Sequence, residues 1–445
     1  MHDDNVTQRV QYGVIACLVF IASALSGCWG RVETDDIAII SALALDLVTE
    51  GKVLLSVEIL NDEALLAGAA DITPSQAVSW VLQEEGNTVM NALLNLQRRT
   101  PRHLTLGQMS NIIVGQNVAR DGIGNYLDFI AREGLVRRSA LLTTCDSGAG
   151  LLMRPFLEDL PSLTLRGLHR HGVRAGKTVQ VTVGEFLMKF SEPGIEPITM
   201  HTGGRNTQDV VVKRIGDPLE QENPAEKRYN PLESETNIPG MLSPESPILD
   251  PLREHGTSEE MPGMTIAIGI GVYRGDTLVG FLDGNDARGY LWLVGRVEPG
   301  AVIEVPDPFV QGKEFSVVVR KIRSSLSPQV EHGRPLIEAD LDLQLEIAEI
   351  QHDIMLDSID VRRLLEAAVS RAVESEIQNA LRAVQEEFKS DIYGFGQLFY
   401  RYRTDTWDEL QDSWNEEVFP QMKVNVTVRS AIRRHGSTLG YPGLR

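Results

Sequence analysis

The residues best placed to do chemistry are Leu25, Ser26, Gly27 and Cys28, which directly follow an apolar run over residues 14–25. A run of about a dozen apolar residues is too short to cross a bilayer and has the length of a secretory h-region. Ser26 and Gly27 are small enough for a peptidase to approach the backbone. Cys28 supplies a sulfur nucleophile that can form a thioether to diacylglycerol. The pattern therefore predicts a lipobox, with cleavage before Cys28 and a lipid on its thiol. A single acyl chain anchors marginally and two anchor stably, at roughly 0.8 kcal/mol per buried CH₂. The competing readings are a plain signal peptide with a chance cysteine, or a short buried helix. The n-region is atypical, with Asp3 and Asp4 against Arg9.

The other reactive candidates are few. Of the three cysteines, Cys17 leaves with the signal and Cys28 carries the lipid. Only Cys145 remains, so the mature chain can form no intramolecular disulfide. Cys145 is either a nucleophile or, more ordinarily, a small buried thiol. His169 and His171 could share a metal, or form an unremarked loop or strand-edge pair. The chain has no Walker loop, no Gly-x-Ser-x-Gly elbow and no His-Glu-x-x-His. Gly269-Ile270-Gly271 falls inside a predicted strand and lacks the helix of a dinucleotide fingerprint. Carboxylates abound, but sequence cannot pair them across a cleft. No catalytic residue, cofactor or metal site is assigned, and an enzyme is not expected.

Composition narrows the partners. The 445 residues include 62 acidic and 42 basic ones, for a net charge of -20. A phosphate backbone needs clustered cations, so nucleic acid is not an expected partner. The same charge opposes the body lying flat on anionic lipid. Hydrophobic content of 42% is ordinary for a globular chain, and the length allows two or three domains.

The elements that must position these residues read as follows. Residues 37–45 are continuously apolar, a buried strand. Val53, Leu55, Val57 and Ile59 alternate with Leu54, Ser56 and Glu58, and Thr49-Glu50-Gly51 turns the two strands into a hairpin. Val78, Trp80 and Leu82 alternate again. Gly86-Asn87 opens a helix with Val89, Leu93, Leu94 and Leu96 on one face, which Pro101 ends. Residues 111–114 form a strand and 117–132 a helix. Strands and helices alternating in this way predict a mixed sheet with covering helices. Between residues 203 and 262 the pattern dissolves, and eight of the 21 prolines fall between 218 and 262. Proline removes backbone donors and charge resists collapse, so this is a linker or disordered insert. A docked functional loop is the alternative.

Beyond it, residues 265–273 and 277–282 flank Arg274-Gly275-Asp276 as a hairpin. Residues 315–322 form a strand. Residues 337–347 alternate strictly between aliphatic and polar, a strand with one wet face. Over residues 360–392, Val361, Leu365, Val369, Val373, Ile377, Leu381, Val384 and Phe388 make one apolar helical stripe that needs a sheet to cover. Val424, Val426 and Val428 form a last strand before Arg429, Arg433 and Arg434. The fold class is α+β and multi-domain, with mixed and antiparallel sheets covered by helices and a long amphipathic helix in the C-terminal domain.

Several motifs in order carry a resemblance. Ser390-Asp391-Ile392-Tyr393-Gly394-Phe395-Gly396 is followed by Trp407, Trp414, Phe419-Pro420 and Val424-Asn425-Val426. Upstream stand Leu278-Val279-Gly280-Phe281-Leu282 and Arg288-Gly289-Tyr290-Leu291-Trp292-Leu293. Nearer the N-terminus are Asp36-Ile37-Ala38-Ile39, and Gln97-Arg98-Arg99-Thr100-Pro101-Arg102 before Leu106-Gly107-Gln108. With the lipobox these resemble the Ger(x)C family, the C subunits of spore germinant receptors, over nearly all the mature chain except the Pro-rich insert. The resemblance implies a germination lipoprotein on the outer face of the spore inner membrane. It would work with integral membrane A and B subunits in a receptor for nutrients such as amino acids or sugars. An extracytoplasmic solute-binding lipoprotein is the alternative, and a lipid-anchored hydrolase is a further class.

Read from the residues alone, the same motifs are structural. Gly394 and Gly396 turn the chain after a helix. Asp391 accepts backbone hydrogen bonds in that turn, or binds a ligand. Trp407 and Trp414 are core or interface. Arg98, Arg99 and Arg102 face lipid or a partner, or form a solvated basic helix end. The expected division is signal 1–27, tether 28–35, an N-terminal α/β-type domain or two subdomains at 36–202, insert 203–262, a C-terminal sheet and long helix at 263–435, and a tail at 436–445.

Overall fold

The computed structural model describes residues 12–17, 20, 36–48, 51–61, 78–133, 136–153, 160–204, 265–352 and 354–434. Nine strands form a large sheet: β1 (Ile37–Leu47), β2 (Val53–Leu60), β3 (Ser79–Gly86), β4 (His103–Thr105), β5 (Asn111–Gly115), β6 (Leu141–Cys145), β7 (Ile198–Gly204), β8 (Thr265–Arg274) and β9 (Thr277–Asp283). Their order is β3-β2-β1-β5-β6-β7-β8-β9, with β4 beside the start of β1. The centre, β1-β5-β6-β7, is parallel. The flanks β3-β2-β1 and β7-β8-β9 are antiparallel.

Helices cover both faces of this sheet. Leu43 and Leu45 point to a layer that includes α1 (Val89–Gln97), α2 (Gln116–Gly122) and α3 (Gly124–Glu133). Ala42 and Ala44 point the other way, toward α4 (Gly148–Met153) and α5 (Pro161–Arg174). A further helix, α6 (Val183–Ser191), opens on a Thr182–Glu185 capping box.

Both-sided burial explains where the sequence reading misses. Ser56 and Glu58, polar positions of the alternating strand β2, are fully buried. Glu58 Oε2 accepts from Ser41 Oγ at 2.7 Å and from the Ser162 N–H of α5 at 3.1 Å. Leu94, expected inward, is 55% exposed, because Ala92 and Leu96 take the buried side of α1. The helix expected over 117–132 is two, broken where Gly122 has φ +112 and the Ile123 N–H donates to Asp276 O at 2.8 Å.

The boundary expected at 203–262 is not a break in the sheet. β7 runs into its first residues, to Gly204, β8 begins after it, and the two are paired in register, Ile198 with Val272 and Met200 with Ile270. The expected C-terminal domain therefore loses its first hairpin, β8–β9, to the N-terminal sheet. Residues 205–264 themselves lie outside the described residues.

The remainder builds a second, four-stranded sheet of order β10-β11-β12-β13. After the buried helix α7 (Gly284–Leu293) come β10 (Val302–Pro306), β11 (Glu314–Glu331) and β12 (Arg334–Glu349). The long helix α8 (Ile359–Arg382) follows, then α9 (Phe395–Tyr402), α10 (Thr404–Leu410), α11 (Phe419–Gln421) and β13 (Lys423–Arg434). Leu341, Leu343 and Leu345 are buried, whereas Asp340, Asp342 and Gln344 are exposed. Leu365, Val369, Val373, Ile377 and Leu381 bury the α8 stripe in the same core as the inward leucines. The helix is shorter than expected. It widens into a π turn at Ala383–Glu387, and Lys389 at φ 47 swings the chain out of the helix path.

Candidate functional site: a buried carboxylate where the two halves meet

The turn after α8 carries Asp391, which is completely buried. Its Oδ1 accepts from the N–H groups of Gly394 at 2.9 Å and Phe395 at 3.1 Å. Its Oδ2 accepts from the Gly396 N–H at 2.7 Å and from Trp414 Nε1 at 3.0 Å. Four bonds use the acceptor capacity of a carboxylate, so the backbone reading of Asp391 describes its surroundings and no lone pair is left for a ligand. Burial nonetheless pushes its pKa up from 3.8 to about 6, against the lowering effect of these bonds. Gly394 is needed at φ +75 to begin α9.

This turn is clamped to the N-terminal half. A Cβ on Gly194, which itself has φ +72, would lie 2.3 Å from the Gly396 carbonyl carbon, so two glycine backbones touch. The Gln397 N–H donates to Gly194 O at 2.8 Å and the Glu196 N–H to Asp391 O at 2.9 Å. Glu196 Oε2 accepts from the Gly275 N–H at 2.6 Å, in the β8–β9 turn. Trp407 and Trp414 are buried, 5.3 Å apart, and close the turn from below, so they are core. Ser390 Oγ donates to Tyr273 O at 2.5 Å, and the Tyr273 hydroxyl joins Thr144 at 2.7 Å inside the large sheet.

The upstream motifs converge on the same junction. Arg288 of α7 is buried and bonds Glu376 of α8 with two nitrogens, Nε to Oε2 at 2.8 Å and Nη2 to Oε1, while Trp292 Nε1 donates to Glu376 Oε2 at 2.8 Å. Gly289 lets α7 touch α8, since a Cβ there would meet Glu376 O at 2.1 Å. Gly280 leaves room for the Phe388 ring, 2.2 Å from where its Cβ would be. These residues hold two layers in one relative placement. None presents an open nucleophile or an unpaired acid.

The remaining candidates are dispersed. His169 is buried on α5, its Nε2 2.9 Å from Thr143 Oγ1, and burial pushes its pKa down to about 4. His171 lies two residues on along the same helix, a spacing that faces away, so the two do not share a ligand position. Cys145 is buried with Sγ directed at Val114 O. His201 stacks on Phe281 and pairs with Asp283 at 3.1 Å, with no hydroxyl or thiol bonded to the ring among the described residues. Arg99 pairs with Glu84, while Arg98 is exposed at the end of α1. Sequence reasoning missed Glu58 and Glu376, because a buried acid on an alternating strand or a long helix looks like a solvated one. Cys28 and the tether 28–35 lie outside the described residues. Residues 12–17, which include the start of the preceding apolar run, are helical and exposed, and no described helix is long and apolar enough to cross a membrane.

Comparison with known proteins matches two family models. Residues 30–201 match "Spore germination protein N-terminal domain", and residues 268–436 match "Spore germination B3/ GerAC like, C-terminal". Spore germination protein KC of Bacillus subtilis (strain 168) is 21% identical, over 94% of this chain and 96% of the relative. Spore germination protein B3 of the same organism is 19% identical, over 94% and 97%. The crystal structure of the GerBC protein superposes with a TM-score of 0.51 at 15% identity, covering 88% of this chain and 96% of that one. The two matched segments meet at the Asp391 turn and share the large sheet, and the chain belongs to the Ger(x)C family of spore germination proteins.

Proposed function

We propose that this chain is the lipid-anchored C subunit of a spore nutrient germinant receptor, held by Cys28 on the outer face of the spore inner membrane. It serves there as a scaffold for integral membrane A and B subunits and performs no catalysis. Full-length similarity to spore germination proteins supports the germination role. The observation that carries the scaffold reading is the Asp391 junction, where acid, glycines and tryptophans are spent on fixing two halves together. A solute-binding clamp would need two lobes free to close about a hinge, and the β7–β8 pairing stitches the halves instead. The test is co-purification of the tagged chain from spore membranes. Integral membrane subunits should come with it, and Cys28→Ala should yield an unlipidated precursor with weakened membrane retention. Fatty-acid labelling that survives the substitution would refute the anchor. Micromolar binding of one nutrient to the purified chain, lost on mutation of a defined pocket, would make this subunit the sensor and not a scaffold.

A further inference from the structure

One end of the large sheet presents an apolar groove with an exposed tryptophan. The start of β1, the end of β2 and the start of β3 meet there, with Ile59 opposite Trp80. His103 of β4 lies opposite Ile37. Ala38, Ile59, Trp80, Leu82, Pro101 and Arg102 line an apolar groove of about 330 Å³. Trp80 is 47% exposed on its rim, and Leu94 of the adjacent helix is 55% exposed. Arg98 is exposed at the end of that helix, just ahead of the lining residues Pro101 and Arg102, and Glu84 of β3 is paired with Arg99. An apolar surface fringed by tryptophan and arginine is the composition of a membrane–water interface.

The length of chain before β1 says what this end faces. Eight residue steps separate Cys28 from Asp36, a reach of about 28 Å at full extension. A globular chain of this size has a radius of gyration of about 22 Å, so its body is wider than the tether is long. A lipid on Cys28 therefore keeps the start of β1 near the bilayer. The net charge of -20 disfavours broad contact of the body with anionic lipid, so the end that the short tether holds at the bilayer is the one placed for a limited, largely apolar contact.

We propose that this sheet end, centred on Trp80, rests in the bilayer interface and fixes the orientation of the body on the membrane. The proposal builds on the lipid anchoring of Cys28 and adds a second, non-covalent contact. The test uses the lipidated mature chain carrying Trp29→Phe, on vesicles of phosphatidylcholine and phosphatidylglycerol with or without brominated acyl chains. Trp292, Trp407 and Trp414 are buried, so the exposed Trp80 is the fluorophore that lipid bromine can reach. The expected result is quenching by brominated lipid that disappears in Trp80→Phe, with the melting temperature unchanged. Arg98→Gln with Arg102→Gln should reduce the phosphatidylglycerol dependence of the quenching. A chain that floats with vesicles but shows equal emission on both lipids would overturn the proposal and leave the anchor standing. A chain that does not float removes the anchor and the proposal together. Quenching that needs the integral membrane subunits would assign the groove to a protein partner and also overturn it.

Discussion

In the large sheet the central strands β5 and β6 run five residues each and are buried on both faces. In the small sheet β11 and β12 run 18 and 16 residues, and β12 keeps one face in water. The first sheet buries polar groups and pairs some of them internally: Glu58 Oε2 accepts from Ser41 and Ser162, while its Oε1 has no hydrogen-bond partner among the described residues. The second leaves Asp340 and Asp342 in solvent. Position along the chain thus says little about the cost of a substitution. The face it occupies says much.

The largest effect should come from the helix that covers the small sheet. Leu365 and Ile377 are fully buried. Leu365→Asp or Ile377→Asp places an unpaired charge in that core, at a cost on the order of 5 kcal/mol, comparable to the whole stability of a domain. Circular dichroism of the purified variants should show unfolding, and spores carrying them should lose the germination response. The large sheet should melt in the same transition, because the Asp391 turn ties the two together. A surviving, separate transition would show that they are independent.

The second test splits the chain at the insert. Residues 36–204 and 265–434 made separately should each be insoluble, since β7 and β8 become long unpaired edges. Co-expressed, they should purify as one complex. Soluble, unassociated halves would mean that the β7–β8 pairing contributes little.

The same contrast explains what was legible in the sequence. Residues 337–347 and the stripe from Leu365 to Leu381 were readable because one wet face imposes a period on the residues. The large sheet has no wet face at its centre, and the alternation of Ser56 and Glu58 with aliphatic residues gave no sign that α5 covers them. The partner of β8 lies across sixty undescribed positions, and no local pattern encodes a pairing at that separation. Asp391 and its glycines were legible as a turn, because acid and glycine spacing reports on the local backbone. Gly194, which the turn grips, was invisible, because its constraint comes from a distant segment.

A pH series should separate the halves further. Burial raises Asp391 in the folded state to about 6, so folded protein holds the extra proton between about 4 and 6. The associated stability is present at low pH and is lost as pH rises through 6, on the order of 2–3 kcal/mol. Burial lowers His169 to about 4. Its contribution has the opposite sign, being present above about 6.5 and lost as pH falls through 4. Burial also raises Glu196, in the same direction as Asp391. Stability of the parent minus that of Asp391→Asn should therefore fall with rising pH, and the same difference for His169→Phe should rise. Asp391→Asn should also cost about 1–3 kcal/mol at every pH, because its amide nitrogen would face the N–H donors of the turn. Difference curves of equal slope would show that the two environments do not differ as the geometry says.

The smallest effect belongs to the wet face of the small sheet. Arg429 Nε bonds Asp342 Oδ1 and Nη1 bonds Asp340 Oδ1, both at 2.8 Å, in a fork that looks strong. All three side chains are more than half exposed. Water and salt screen such a pair, and ordering the side chains offsets most of the attraction. Arg429→Gln should leave the melting temperature where it is, at low and at high salt. A clear loss that persists at high salt would show that this sheet face is shielded from solvent, and would erase the distinction between the two sheets.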